Sequence, residues 1–122
     1  MLLIDSSGWI EFFTDGPLAK EYARHLKDPA KIVTPTVVLY EVYKKIKRER
    51  TEEEALFAVS LMNRTSVVDL SESIALLAAD LSIQNSLPMA DAMVYATAVE
   101  KNCSIVTGDE HFRALDKVIF VS

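Results

Sequence analysis

Cysteine is nearly absent from this chain. Cys103 stands alone, which excludes an internal disulfide and a thiolate metal cage; beside the apolar Ile105 and Val106 it reads as a small core residue. No apolar run approaches the ~20 residues that a membrane-spanning helix needs. The opening Met1-Leu2-Leu3-Ile4-Asp5 has no basic segment and soon meets a carboxylate, so it does not read as a secretory signal. A cytoplasmic protein with no membrane attachment is the expectation. The two histidines, His25 and His111, lack the spacing of HExxH or Cys/His zinc sites. No Ser/His/Asp or Cys/His arrangement offers a nucleophilic side chain. Repeats, low-complexity tracts and linkers are missing too, so residues 1–122 are expected to form one domain.

With 50% hydrophobic and 25% charged residues, the composition is that of a globular chain rather than a disordered one. The formal net charge of -5 counts against a nucleic-acid partner, because phosphate contacts need Lys and Arg. That objection weakens if several carboxylates hold divalent cations.

Short apolar segments alternate with helical patterns. Strands are expected over residues 2–4, 31–34, 65–70, 104–107 and 118–121. Ser7 is expected to cap a short helix reaching Phe13, which Asp15-Gly16-Pro17 breaks. Further helices are expected over 17–26, opened by Pro17, over 35–48 behind Pro35, and over 51–63. In that last segment Thr51 precedes Glu52, Glu53 and Glu54, acids placed at the positive end of the helix dipole. Helices over 71–84, 88–101 and 110–115 complete the reading. The alternation predicts an α/β fold, a parallel β-sheet flanked by helices on both faces.

In such a sheet, ligands bind outside the carboxyl ends of the strands. Asp5 and Asp109 both fall there, although an Asp in that position can equally cap the next helix. Two helical acids are harder to assign to caps. Glu41 follows Val37 and Val38 by four and three residues, which puts it on their apolar face. Asp91 interrupts Leu87-Pro88-Met89-Ala90-Asp91-Ala92-Met93-Val94-Tyr95-Ala96, a helix apolar on nearly every side. A lone ionised carboxylate buried there would be very costly, so it must be paired, protonated or metal-bound. Its first-turn position also suits the helix N-terminus, and the nearest cation in sequence is Lys101, nearly three turns away. Asp80, by contrast, has Ser73, Ser82 and Gln84 for polar company and reads as solvent-facing. Asp69 and Asp116 read as ordinary strand-edge or turn acids. Four acids from two strand ends and two helices make an all-oxygen donor set, which suits Mg²⁺ or Mn²⁺. His111, two residues past Asp109, is a minor candidate for the wall of a substrate groove.

Taken together, Leu3-Ile4-Asp5-Ser6-Ser7, Glu41, Ala90-Asp91-Ala92-Met93-Val94-Tyr95-Ala96-Thr97-Ala98 and Val106-Thr107-Gly108-Asp109-Glu110-His111-Phe112 closely resemble the PIN domain. The likeness runs over essentially the whole chain, and it is strongest to the VapC toxin ribonucleases of VapBC toxin–antitoxin pairs. The resemblance implies a Rossmann-like sheet and a Mg²⁺- or Mn²⁺-dependent endoribonuclease leaving 5′-phosphate and 3′-hydroxyl ends. Asp5, Glu41 and Asp91 match the family's three core acids and Asp109 its more variable fourth. Ser6 and Thr107 match hydroxyls that orient those carboxylates, positions equally suited to capping. A homodimer, an RNA substrate and a small VapB-like antitoxin are implied as partners.

For the RNA backbone, the one dense basic stretch offers Lys44, Lys45, Lys47 and Arg48, on the helix that carries Glu41. Such a run is also what a solvated helix face looks like. Trp9, Phe12 and Phe13 fit core packing or a dimer interface better than base stacking. Other chemistries on similar folds fit worse. A phospho-aspartyl phosphatase wants a second Asp two residues after the first, where Ser7 stands, and a receiver domain wants adjacent acids near its first strand. An RNA-processing nuclease that is not a toxin, or a non-catalytic metal-stabilised module, is the remaining alternative.

Overall fold

The structure, a computed structural model, describes all 122 residues. Five short strands, β1 (Leu2–Ile4), β2 (Ile32–Pro35), β3 (Ser66–Val68), β4 (Ser104–Thr107) and β5 (Val118–Phe120), form one sheet in the order β3-β2-β1-β4-β5, every pair parallel. Between them lie α1 (Ser6–Phe13), α2 (Ala19–His25), α3 (Thr36–Glu49), α4 (Glu52–Met62), α5 (Glu72–Asn85) and α6 (Met89–Glu100), with 3-10 turns at Pro29–Lys31 and Glu110–Phe112.

Strand order fixes where the helices go. From β1 the chain steps outward to β2 and β3, then returns across the sheet to β4. Right-handed crossovers put α1–α4 on one face during the outward steps and α5–α6 on the other during the return. The direction reverses between β1 and β4, whose register pairs Leu3 with Ile105 and Ile4 with Val106. Open α/β sheets place their ligand crevice at such a reversal, beyond the carboxyl ends of the strands. Asp5 and the segment after Thr107 emerge there.

Central strands covered on both faces need continuous apolar residues, and Leu3, Ile4, Ile105 and Val106 are fully buried. Helix α3 contributes the stripe Val38, Val42 and Ile46 to the main core, and α4 contributes Ala55, Ala58 and Met62. The all-round apolarity of α6 has a packing reason. Val94 and Ala98 join the main core, while Ala92 and Ala96 pack with Ile74 and Ala78 of α5 in a second cluster.

Three local expectations are corrected. Asp5, not Ser7, caps α1, its carboxylate accepting from the Gly8 amide; Ser7 is already helical. The second helix begins at Ala19 rather than Pro17, since Asp15 takes a left-handed φ of 52° and the chain needs Pro17 and Leu18 to turn. The helix expected over 110–115 is a single 3-10 turn, Glu110–Phe112, too short a segment to repeat an amphipathic pattern before β5. Thr51 and Ser71 cap α4 and α5 through the amides of Glu54 and Ile74 as their sequences suggest.

Candidate active site

Asp5 leaves β1 at the sheet's reversal point and is 4% exposed. Burying a carboxylate requires partners, and it has three. Ser7 donates to Oδ1 at 2.7 Å, the Gly8 amide to the same oxygen at 3.1 Å, and the Thr107 hydroxyl to Oδ2 at 2.6 Å. Loss of solvation pushes its pKa up, while these hydrogen bonds pull it back and the Asp109 charge raises it further. The side chain is thereby locked in orientation.

Behind this carboxylate stands Tyr22, buried against α1. Gly8 makes the approach possible, since a Cβ there would collide with the Tyr22 ring and with Ile4. Burial, with the Asp5 charge nearby, pushes the Tyr22 phenol up to about 12. Neither Ser7 nor Tyr22 is a functional candidate by sequence. The repeated hydroxyls of Ser6-Ser7 were a usable signal for the first; nothing local marks the second, which arrives from α2.

Thr107 ties the two strand ends together, because its hydroxyl also accepts from the Asp109 amide at 2.9 Å. Asp109 in turn caps the 3-10 turn, accepting from the His111 amide at 2.9 Å. Both strand-end acids therefore carry the capping role. Asp91, in the first turn of α6, has a side chain 19% exposed. Its partner is His111, whose Nδ1 lies 2.9 Å from Asp91 Oδ2 and 3.0 Å from Asp109 Oδ1. Burial and the neighbouring Asp109 charge push the Asp91 carboxyl up to about 6, with His111 pulling it back. The side chain beside Asp91 is thus a histidine carried by the turn that follows β4.

Glu41, half-buried on α3, has a pKa raised by burial and by the Asp5 and Asp109 charges, with the Ser6 hydroxyl beside it acting in the opposite sense. The Asp109 charge raises the pKa of the other three acids, Asp5 raises those of Glu41 and Asp91, and Glu41 raises that of Asp91. Ligand atoms of Asp91, Asp109 and His111 fall within 4.8 Å of one another. A divalent cation fits this donor set of two carboxylates and an imidazole, because it would relieve the repulsion between the acids; Asp5 and Glu41 stand outside that group.

A groove of about 500 Å³ opens beside Glu41, lined among others by Ser6, Ser7, Lys44, Lys45 and Arg48. Helical spacing from position 41 through 44, 45 and 48 explains the shared face. Lys47 does not line it. Its ammonium is held by Glu52 and the Tyr43 hydroxyl, both at 3.2 Å. Trp9 is buried, its ring stacked on Phe13 with centroids 5.7 Å apart, as core packing requires and base stacking does not. Asp69, Asp80 and Asp116 are exposed.

The chain belongs to the PIN domain family, whose model matches residues 2–118. Comparison of the sequence with curated proteins gives no match. Among solved structures, a chain of a toxin–antitoxin complex from Klebsiella pneumoniae superposes with a TM-score of 0.82 at 21% identity, covering 98% of this chain and 96% of that one. VapC20 from Mycobacterium tuberculosis, a sarcin–ricin loop cleaving toxin, gives 0.80 at 17% identity and 97% coverage of both chains. A chain of VapBC2 from Rickettsia felis, bound to a DNA fragment from its promoter, gives 0.78 at 16% identity, covering 98% of this chain and 96% of that one. At these identities the likeness is one of fold. No helix is long and apolar enough to cross a membrane.

Proposed function

We propose that this protein is a divalent-metal-dependent endoribonuclease, and the toxin of a VapBC-type toxin–antitoxin pair. The observation that carries the reading is the convergence of Asp5, Glu41, Asp91 and Asp109 at the sheet's reversal point, with the pKa values of Asp5, Glu41 and Asp91 raised by burial and by neighbouring acids. Acids held so close against mutual repulsion are the arrangement expected where a cation is the intended neighbour.

Asp5, Glu41, Asp91 and Asp109 would hold the ion, Mg²⁺ or Mn²⁺, which when bound supplies a Lewis acid and a water of lowered pKa. Asp5 enters that role with its orientation set by Ser7, Gly8 and Thr107. Ser6 and Thr107 position carboxylates rather than react. Lys44, Lys45 and Arg48 would take backbone phosphates in the adjoining groove, which gives an otherwise acidic chain a local cationic track. Attack of water on phosphorus, breaking the P–O3′ bond so that the 3′ oxygen leaves, would give 5′-phosphate and 3′-hydroxyl ends and would need no nucleophilic side chain.

The toxin reading rests on the resemblance to VapC proteins and on the toxin–antitoxin complexes among its structural neighbours. It brings a small VapB-like antitoxin and a homodimer as expected partners. Leu76, Ile83 and Met89, exposed on α5 and at the start of α6, support a surface for the second copy. The test is cleavage of a mixed structured RNA pool with Mg²⁺ or Mn²⁺ and with EDTA. Cleavage confined to the metal samples supports the nuclease, and EDTA-resistant cleavage rejects it. Growth arrest on expression, relieved by the product of a short adjoining reading frame, would distinguish the toxin from an RNA-processing enzyme.

A further inference from the structure

We propose that His111 is a direct nitrogen ligand of the divalent ion, and that it biases this centre towards Mn²⁺ over Mg²⁺. The proposal rests on the reading of the acids as a metal site.

The geometry is specific. The 3-10 turn Glu110–Phe112 is anchored below by Phe112, fully buried in the core, and above by the His111 amide on Asp109. Held at both ends, the turn projects the imidazole between two carboxylates, and Nδ1 is the ring atom turned towards both. It lies 2.9 Å from Asp91 Oδ2 and 3.0 Å from Asp109 Oδ1. Adjacent ligands of an octahedral ion with bonds of 2.0–2.1 Å stand about 2.9 Å apart. Both nitrogen–oxygen distances therefore already match the spacing of neighbouring ligands. Together with the grouping of their ligand atoms within 4.8 Å, this gives two carboxylates and one imidazole for a single ion.

That donor set differs from an all-oxygen one in preference. Mg²⁺ favours oxygen and water, whereas an imidazole nitrogen adds affinity for first-row transition ions. The all-oxygen expectation drawn from the acids alone is modified accordingly. His111 is also 56% exposed on its side chain, so its replacement removes a ligand without opening the core.

Binding of Mn²⁺ to the wild type, His111→Ala and His111→Asn, followed by electron paramagnetic resonance, tests this without reference to activity. Competition by Mg²⁺ gives the second affinity, and protein labelled with nitrogen-15 histidine identifies any bound imidazole by spin-echo modulation. The expected result is nitrogen modulation in the wild type that both variants lose. Mn²⁺ affinity should fall about tenfold or more in the variants, with a smaller change for Mg²⁺. Tight Mn²⁺ binding without histidine-nitrogen modulation, or modulation that survives in both variants, overturns the ligand assignment and leaves the acidic metal site intact. Absence of Mn²⁺ binding by the wild type overturns the metal reading and this inference with it.

Discussion

The Thr107 hydroxyl donates to Asp5 Oδ2 at 2.6 Å across 102 residues of sequence, and this bond fastens the end of β4 to the end of β1. The Thr107 hydroxyl oxygen also accepts from the Asp109 amide, so one hydroxyl sets the position of two of the four acids. Replacing Thr107 with Val keeps shape and strand propensity but removes both bonds. Nuclease activity is expected to fall about 10–100-fold while the fold persists. Measured rates for Thr107→Val and Thr107→Ser decide it: Ser should retain most activity, and equal loss in both would assign the effect to packing.

Gly8 is required by the contact between α1 and Tyr22. Its Cβ would collide with the Tyr22 ring and Ile4, and relief means displacing the helix turn whose amide holds Asp5. Gly8→Ala is expected to cost about 1–3 kcal/mol of stability, read by chemical denaturation, and to lower activity in the remaining folded protein. A variant as stable as the wild type would contradict the packing described here.

Asp91 sets stability against function. Its pKa stands at about 6 against an ordinary 3.8, so between these values the folded chain binds a proton that the unfolded chain releases. Stability contributed by this group is therefore present at low pH and lost as pH rises through about 6. In chelator-treated protein, Asp91→Asn escapes that loss. The difference in Tm between variant and wild type is expected to grow from about pH 4 to pH 6 and then hold, while cleavage is abolished. A Tm advantage that shrinks with rising pH would contradict the burial and repulsion assigned to Asp91.

Of the four basic candidates on α3, the groove receives three. Lys44→Ala, Lys45→Ala and Arg48→Ala are each expected to weaken RNA binding and to lower the salt dependence by about one counterion apiece. Lys47→Ala, whose partners are Glu52 and Tyr43, should leave both quantities unchanged. Binding titrations at several salt concentrations measure this, and an effect at Lys47 equal to that at Arg48 would place the RNA elsewhere.

The sequence made some of this visible for physical reasons that differ residue by residue. Asp91 could be singled out because an acid in an all-round apolar helix has few inexpensive explanations. Asp5 and Asp109 were visible because strand ends are marked by the close of an apolar run. Their role as helix caps was an open alternative, and the structure shows both of them filling it. What stayed hidden depends on long-range placement. Tyr22 reaches Asp5 only because α2 folds back on Gly8, and His111 reaches Asp91 only because β4 brings the 3-10 turn beside α6. Lys47 lies off the face shared by 41, 44, 45 and 48, a separation that helical spacing offered and the reading of the basic run as one unit did not use. The helix expected over 110–115 failed because so short a segment carries no period.

The most direct test of the central claim is one cleavage assay on one RNA pool with the variants Asp5→Asn, Glu41→Gln, Asp91→Asn and Asp109→Asn beside the wild type and Lys47→Ala, with the new ends identified chemically. The expected result is metal-dependent cutting that leaves 5′-phosphates in the wild type and Lys47→Ala, and is reduced at least about a hundredfold in Asp5→Asn and Asp91→Asn, with Glu41→Gln and Asp109→Asn impaired as well. Undiminished cutting by folded Asp5→Asn and Asp91→Asn proteins would contradict it, and would move the active site away from the acids where β1 and β4 end.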